Sequence, residues 1–246
     1  MDLHLIVFVI VGFVAQMIDG ALGMAYGVSS TAFLLTLGVS PAAASASVHT
    51  AEIFASGVSG LSHLKFGNVD RVLFRKLLIP GIIGGILGAY ILTSLPGEKM
   101  RPLVALYLLV MGAIIVRKAV KKVREARVFK RLAPLGLVGG FFDAIGGGGW
   151  GPIVTSTLVA GGEKPRFAIG SVNLAEFFVT VAEAATFFLA MGLVHWKAIL
   201  GLTIGGVLAA PLAALVCKKL PSRLLMILVG ALIIGLSIRT IVNALL

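Results

Sequence analysis

An acid followed by a glycine-rich stretch occurs twice in this chain, 124 residues apart, each time inside hydrophobic sequence. The first copy is Met17-Ile18-Asp19-Gly20-Ala21-Leu22-Gly23-Met24-Ala25-Tyr26-Gly27-Val28. The second is Phe141-Phe142-Asp143-Ala144-Ile145-Gly146-Gly147-Gly148-Gly149-Trp150-Gly151-Pro152. Four successive glycines do not continue a helix freely, since each is about 1 kcal/mol worse than alanine. In a bilayer the backbone groups freed at such a break find no water. A broken helix is tolerated there only where protein or a water-filled cavity receives it. The two stretches are therefore expected to face each other and form a binding site.

A bilayer is the right solvent to consider. The 246 residues are 59% hydrophobic and 13% charged, with mean hydropathy +1.07, whereas soluble domains run near 45–50% apolar and about 25% charged. The formal net charge of +11 does not point to nucleic acid, because the basic residues sit in short loops between apolar runs, as the positive-inside rule requires. The single Cys217 allows no internal disulfide and reads as a small apolar residue. The start Met1-Asp2-Leu3-His4 lacks the basic n-region of a cleavable signal peptide.

Apolar runs fall at 3–18, 27–38, 42–63, 72–94, 100–117, 133–145, 152–160, 167–190, 196–217 and 223–243. Those near 20 residues can span a bilayer, and the runs flanking each glycine break are shorter. Residues 13–54 align with 137–178 without gaps, and 14 of 42 positions are identical. The matches include Asp19/Asp143, Gly38/Gly162, Pro41/Pro165, Ser47/Ser171 and Glu52/Glu176. Chance matches in a Gly- and Ala-rich chain would not align Asp, Pro and Glu, so the duplication is real.

One continuous helix over 3–37 would be about 52 Å long, far more than the roughly 30 Å hydrocarbon core. If each broken segment enters and returns as a hairpin, each half keeps three true crossings, and an odd number inverts the second half. That arrangement puts 17 of the 21 Lys and Arg on one side, in loops 65–76, 117–131, 164–166 and 218–223. The expected fold is an all-α membrane protein of two inverted repeats, each a broken helix-loop-helix segment plus three transmembrane helices. Its parts are a first repeat over 1–117, a basic linker over 118–132 and a second repeat over 133–246. The loop 117–131 is expected in the cytoplasm and both termini outside. That loop can also meet anionic lipid headgroups, although an orientation signal suffices to explain it.

Inverted repeats with discontinuous helices near the midplane are the recurring plan of secondary transporters. A half-helix starting inside the membrane presents unpaired N–H groups and a partial positive charge. Pro152 suits a first helical position, which places one such start after Gly149-Trp150-Gly151 and another near Tyr26-Gly27. Two facing starts would hold a small anion through backbone amides, with Gly23, Met24, Gly147, Gly148 and Gly149 allowing close approach. The competing explanation is that the glycines only allow tight helix packing. Tyr26 and Trp150, at equivalent positions, either wall the site with their O–H and N–H donors or simply pack.

Ionisable residues inside apolar spans are costly and usually functional. These are Asp19, His49, Glu52, Asp143, Glu176 and Glu183. His49 and Glu52 share a helix face, as do their equivalents Asn173 and Glu176. Gln16, Ser47, His49, Ser171 and Asn173 are candidate polar contacts to a substrate. Glu52 and Glu176, with Asp19 and Asp143, are candidate carriers of a coupling proton. Equally, the Asp pair and the Glu pair could satisfy loose backbone N–H groups at the breaks. Glu183 has no acidic counterpart in the first half and receives no role.

These residues carry a resemblance. The paired breaks, above all Asp143 to Pro152, and the duplicated Gly38–Pro41 and Gly162–Pro165 stretches resemble the sulfite exporter TauE/SafE family, also called the 4-toluene sulfonate uptake permease family. The first repeat differs in having Gly20-Ala21-Leu22-Gly23-Met24-Ala25 where the second has its glycine run. The resemblance implies a transporter of small sulfur-containing anions (sulfite, or organosulfonates such as sulfoacetate or taurine-derived products) in the bacterial cytoplasmic membrane, acting as an exporter. It implies no catalytic residues, no cofactor and no bound metal. The alternative is a proton-coupled cation or transition-metal transporter using His49, Glu52, Asp19 and Asp143. An intramembrane hydrolase is disfavoured, because neither His-Glu-x-x-His nor Gly-x-Ser-x-Gly occurs.

Overall fold

The computed structural model describes residues 3–120, 131–216 and 222–245. Most of the loop expected at 117–131, together with Cys217, lies outside the described residues. The elements are helical throughout: α1 Leu3–Leu22, α2 Tyr26–Thr36, α3 Pro41–Lys65, α4 Arg71–Ser94, α5 Gly97–Val120, α6 Leu132–Gly146, a π-helical turn Gly151–Thr155 running into α7 Ser156–Ala160, α8 Pro165–Met191, α9 Trp196–Val216 and α10 Ser222–Leu245. Among the described residues, five helices are long and apolar enough to cross a membrane: α4, α5, α8, α9 and α10. Large apolar side chains such as Ile79, Tyr90, Leu103, Leu189 and Leu228 stand exposed on their outer faces. Such a surface suits lipid and would be unfavourable in water. The chain is an all-α, multi-pass membrane protein.

The boundaries follow local chemistry. Ser40 caps α3, its Oγ accepting from Ala43 N–H at 3.4 Å, and Pro41 opens the helix where a missing N–H is harmless. Pro165 opens α8 in the same way. Asp70 caps α4 by accepting from Val72 and Leu73 N–H at 2.7 and 3.0 Å. The turns repeat between the halves: Gly38 and Gly162 have φ of 89° and 91°, and Gly67 and Gly192 have 67° and 70°. L side chains rarely adopt this left-handed region, which explains glycine at all four positions. Helix α5 runs to Val120, three residues past the boundary expected at 117.

Packing between the halves is an exchange. Helix α1 lies along α9, and α6 lies along α4. A Cβ on Gly12 would come within 2.5 Å of Leu202 O, and a Cβ on the equivalent Gly136 within 2.8 Å of Leu77 O. Backbone-to-backbone approach of this kind is how small residues join helices in lipid. At the centre α3 crosses α8, with Gly57 against Phe177 and Gly60 against Leu174. Sequence numbers rise along one helix as they fall along the other, so these two equivalent helices run antiparallel.

Candidate functional site

Both helix breaks form where the sequence places them, and they touch. Helix α1 ends at Leu22 and α2 starts at Tyr26, while α6 ends at Gly146 and the π-helical turn starts at Gly151. Gly23 and its equivalent Gly147 take φ of 67° and 65°. A Cβ on Gly27 would lie 2.5 Å from the Gly148 Cα, and one on Gly151 would lie 2.6 Å from Gly23 O. Thr31 Oγ1 donates to Gly147 O at 2.5 Å, tying the first half-helix to the second break.

The two aspartates satisfy the loosened backbone. Asp143 Oδ1 accepts from Gly149 N–H at 2.5 Å and from Trp150 N–H at 2.9 Å. Asp19 Oδ1 accepts from Tyr26 N–H at 3.4 Å. Each carboxylate therefore sits at the N-terminal, partially positive end of the half-helix that follows it. Of the two roles left open for this pair, the hydrogen bonds display the capping one. The aromatic donors are engaged as well. Tyr26 Oη donates to Leu202 O at 3.2 Å and Trp150 Nε1 to Val172 O at 3.1 Å, and both side chains are fully buried. Burial of this kind supports packing over walling for Tyr26 and Trp150.

A second polar group gathers beside the breaks. His49, on α3, lies 2.9 Å from Glu183 on α8 and 3.6 Å from Asp143 on α6. Its Nδ1 is 2.8 Å from Ser45 O, and its ring stacks on Phe187 at 6.1 Å. Glu52 lies within electrostatic reach of Asp143, His49, Asp19 and Glu183. Glu176 lies within the same reach of Asp19, Glu52, Asp143 and Glu183. All five carboxylates are buried, as is Gln16, whose Nε2 has no hydrogen-bond partner.

Other expected contacts fall elsewhere. Ser171 Oγ accepts from Asp70 N–H at 2.8 Å at the start of α4, so it secures a helix junction at one end of the bundle. Ser47 Oγ donates back to Ala43 O at 2.7 Å within its own helix. Asn173 Oδ1 accepts from Ser59 Oγ at 2.9 Å, and its Nδ2 donates to Ile169 O at 3.0 Å. Asn173 is the repeat equivalent of His49, and Ser59 that of Glu183. The Asn173–Ser59 bond is thus the neutral counterpart of the His49–Glu183 contact across the same helix pair.

Three participants were given no role at the site by the sequence. Glu183 contacts His49 directly. Tyr107, on α5, donates to Gly148 O at 3.4 Å and stacks on Phe142 at 5.7 Å. Lys118, near the end of α5, reaches Pro152 O at 3.1 Å. Glu183 had a signal, a lone carboxylate inside an apolar run. Tyr107 and Lys118 had none, since their contacts depend on where α5 packs.

The family profile described as sulfite exporter TauE/SafE matches residues 8–240, which takes in both breaks and all five buried carboxylates. The chain belongs to the TauE/SafE family. It is also similar to the probable membrane transporter protein YtnM of Bacillus subtilis, at 44% identity over 97% of this chain and 83% of that relative. A more distant relative is the probable membrane transporter protein ORF9 of a Sinorhizobium species, at 27% identity over 77% of this chain and 69% of that protein. No solved structure matches. As a TauE/SafE protein the chain is a membrane transporter and not an enzyme.

Proposed function

We propose that this transporter exports small sulfur-containing oxyanions, sulfite or organosulfonates such as sulfoacetate, across the bacterial cytoplasmic membrane. The observation that carries the reading is the meeting of two helix breaks at Gly27 and Gly148, inside a chain matched by a sulfite exporter family. The two halves act as inverted repeats, a reading supported by the antiparallel crossing of α3 and α8. Rocking of one repeat against the other would part the breaks to either side in turn. The anion packs beside Gly23–Met24 and Gly147–Gly149, where small residues let it approach, while the Gly149 and Trp150 N–H groups stay with Asp143; the unpaired Gln16 amide is a side-chain donor.

Five buried carboxylates surround that position, so an anion enters only when most of them are neutral. Glu52 and Glu176, which cap no helix break, carry the protons that make this possible. An inside-negative potential favours anion export by about 2.3 kcal/mol per charge per 100 mV, and the basic loop 117–131 faces the cytoplasm. Thermal unfolding of the detergent-solubilised protein tests the binding step. Sulfite or sulfoacetate should raise the unfolding temperature above that in chloride at equal ionic strength, by linkage to the folded state. Equal temperatures in all three anions would count against the reading.

A further inference from the structure

We propose that His49, Asp143 and Glu183 together bind a divalent transition-metal ion where α3, α6 and α8 meet. This departs from the sequence expectation of no bound metal, and it does not depend on which anion is carried. The three side chains are 0%, 2% and 0% exposed, and each offers one ligand atom within 4.8 Å of the others.

The hydrogen bonds around the histidine fix which of its nitrogens faces the carboxylates. Ser45 Oγ donates its hydrogen to Ala144 O at 2.6 Å. Its remaining lone pairs face His49 Nδ1 at 3.2 Å, and Ser45 O faces the same nitrogen at 2.8 Å. Both neighbours of Nδ1 are acceptors, which assigns a ring hydrogen to Nδ1 and makes Nε2 the nitrogen that would ligate, its lone pair free once the ring is neutral. Nε2 lies 2.9 Å from Glu183 Oε2 and 3.6 Å from Asp143 Oδ2. No hydrogen bond of ordinary geometry is made by His49 Nε2, Asp143 Oδ2 or either Glu183 oxygen. Two carboxylates converging in a buried space repel one another, and a metal ion ligated by both and by Nε2 removes the repulsion.

Distances and surroundings fit a metal. Nitrogen and oxygen ligands bound at about 2.0–2.2 Å lie roughly 2.8–3.6 Å apart in tetrahedral or octahedral spheres, a range that takes in the 2.9 and 3.6 Å found here. A ligating histidine usually donates its other N–H to a carbonyl or carboxylate, as His49 does to Ser45 O. Asp143 is held by the Gly149 and Trp150 amides through Oδ1, leaving Oδ2 for the ion. One imidazole with two carboxylates suits Zn2+, Co2+ or Mn2+. The counterpart contact, Asn173 with Ser59, is an ordinary hydrogen bond at 2.9 Å, so only one of the two repeat-related positions would hold an ion. It would lock the second break to α3 and α8 through Asp143.

The test uses the full chain in detergent, stripped with chelator, dialysed against micromolar Co2+ or Zn2+ and analysed for metal content and visible absorption. The expected result is about one ion per chain, with d–d bands for Co2+ showing nitrogen and oxygen ligation. His49→Gln and Glu183→Gln should each weaken binding by roughly tenfold or more, as loss of a ligand or its support does, whereas Asn173→Ala should leave it unchanged. Wild-type protein that takes up no metal above a lipid-and-detergent blank overturns the proposal, whatever the variants do. Unchanged binding in both ligand variants overturns it equally. Neither readout involves sulfite or sulfonates, so failure here and failure of the anion reading are separable.

Discussion

Gly27 and Gly148 pack backbone to backbone, so closely that a Cβ on Gly27 would lie 2.5 Å from the Gly148 Cα. Gly148 also has φ of 139°, which a side chain disfavours. Gly148→Ala should therefore destabilise the protein by about 1–3 kcal/mol from overpacking alone, with loss of transport as the breaks are forced apart. Gly235, with open space around it, is the control. Gly235→Ala should leave the unfolding temperature and transport unchanged. Thermal unfolding in detergent reads both.

Asp143 accepts two backbone N–H groups and Asp19 one. Removing the acceptor leaves buried donors unpaired, at about 1–3 kcal/mol each. Asp143→Ala should thus lower stability more than Asp19→Ala. Asp143→Asn retains one carbonyl oxygen and should recover much of the loss. Equal destabilisation by the two alanine variants would mean that capping is not what these acids do.

Anion entry among five buried carboxylates should be accompanied by proton uptake. By linkage, sulfonate affinity should rise as pH falls and decline as pH rises. Glu52→Gln and Glu176→Gln mimic the neutral acid. Each should flatten the pH dependence and remove proton-linked flux while sparing anion binding. Calorimetric titration at several pH values measures the slope, and an unaltered slope in both variants removes these residues from coupling.

The orientation is open to chemical labelling in a Cys217→Ser background. Arg124→Cys, in the basic loop, should react with a membrane-impermeant maleimide only after the cells are opened. Asp2→Cys should react in intact cells. The reverse pattern would turn the molecule over.

Much of the fold was legible because each feature has a local cause. Pro41 and Pro165 mark the starts of α3 and α8, and the glycines at 23 and 147 mark the breaks. Which helices pair was not legible, since α1, α4, α6 and α9 all present glycine-lined faces and any two could pack. The His49–Glu183 contact needs the antiparallel register of α3 and α8, which no local pattern encodes. The capping role of the aspartates was foreseen as one of two readings, because freed amides need acceptors in lipid. The π-helical turn at Gly151–Thr155 went unforeseen, although Pro152 already removes a backbone donor there.

Potential-driven flux from proteoliposomes measures the anion proposal most directly. Vesicles loaded in turn with sulfite, sulfoacetate, taurine or a divalent metal salt are given a potential that favours anion exit, and release is compared with protein-free vesicles. The account predicts faster release of sulfite or sulfoacetate, lost in Gly148→Ala, with the metal salt retained. Release of the metal while every sulfur oxyanion stays inside would contradict it.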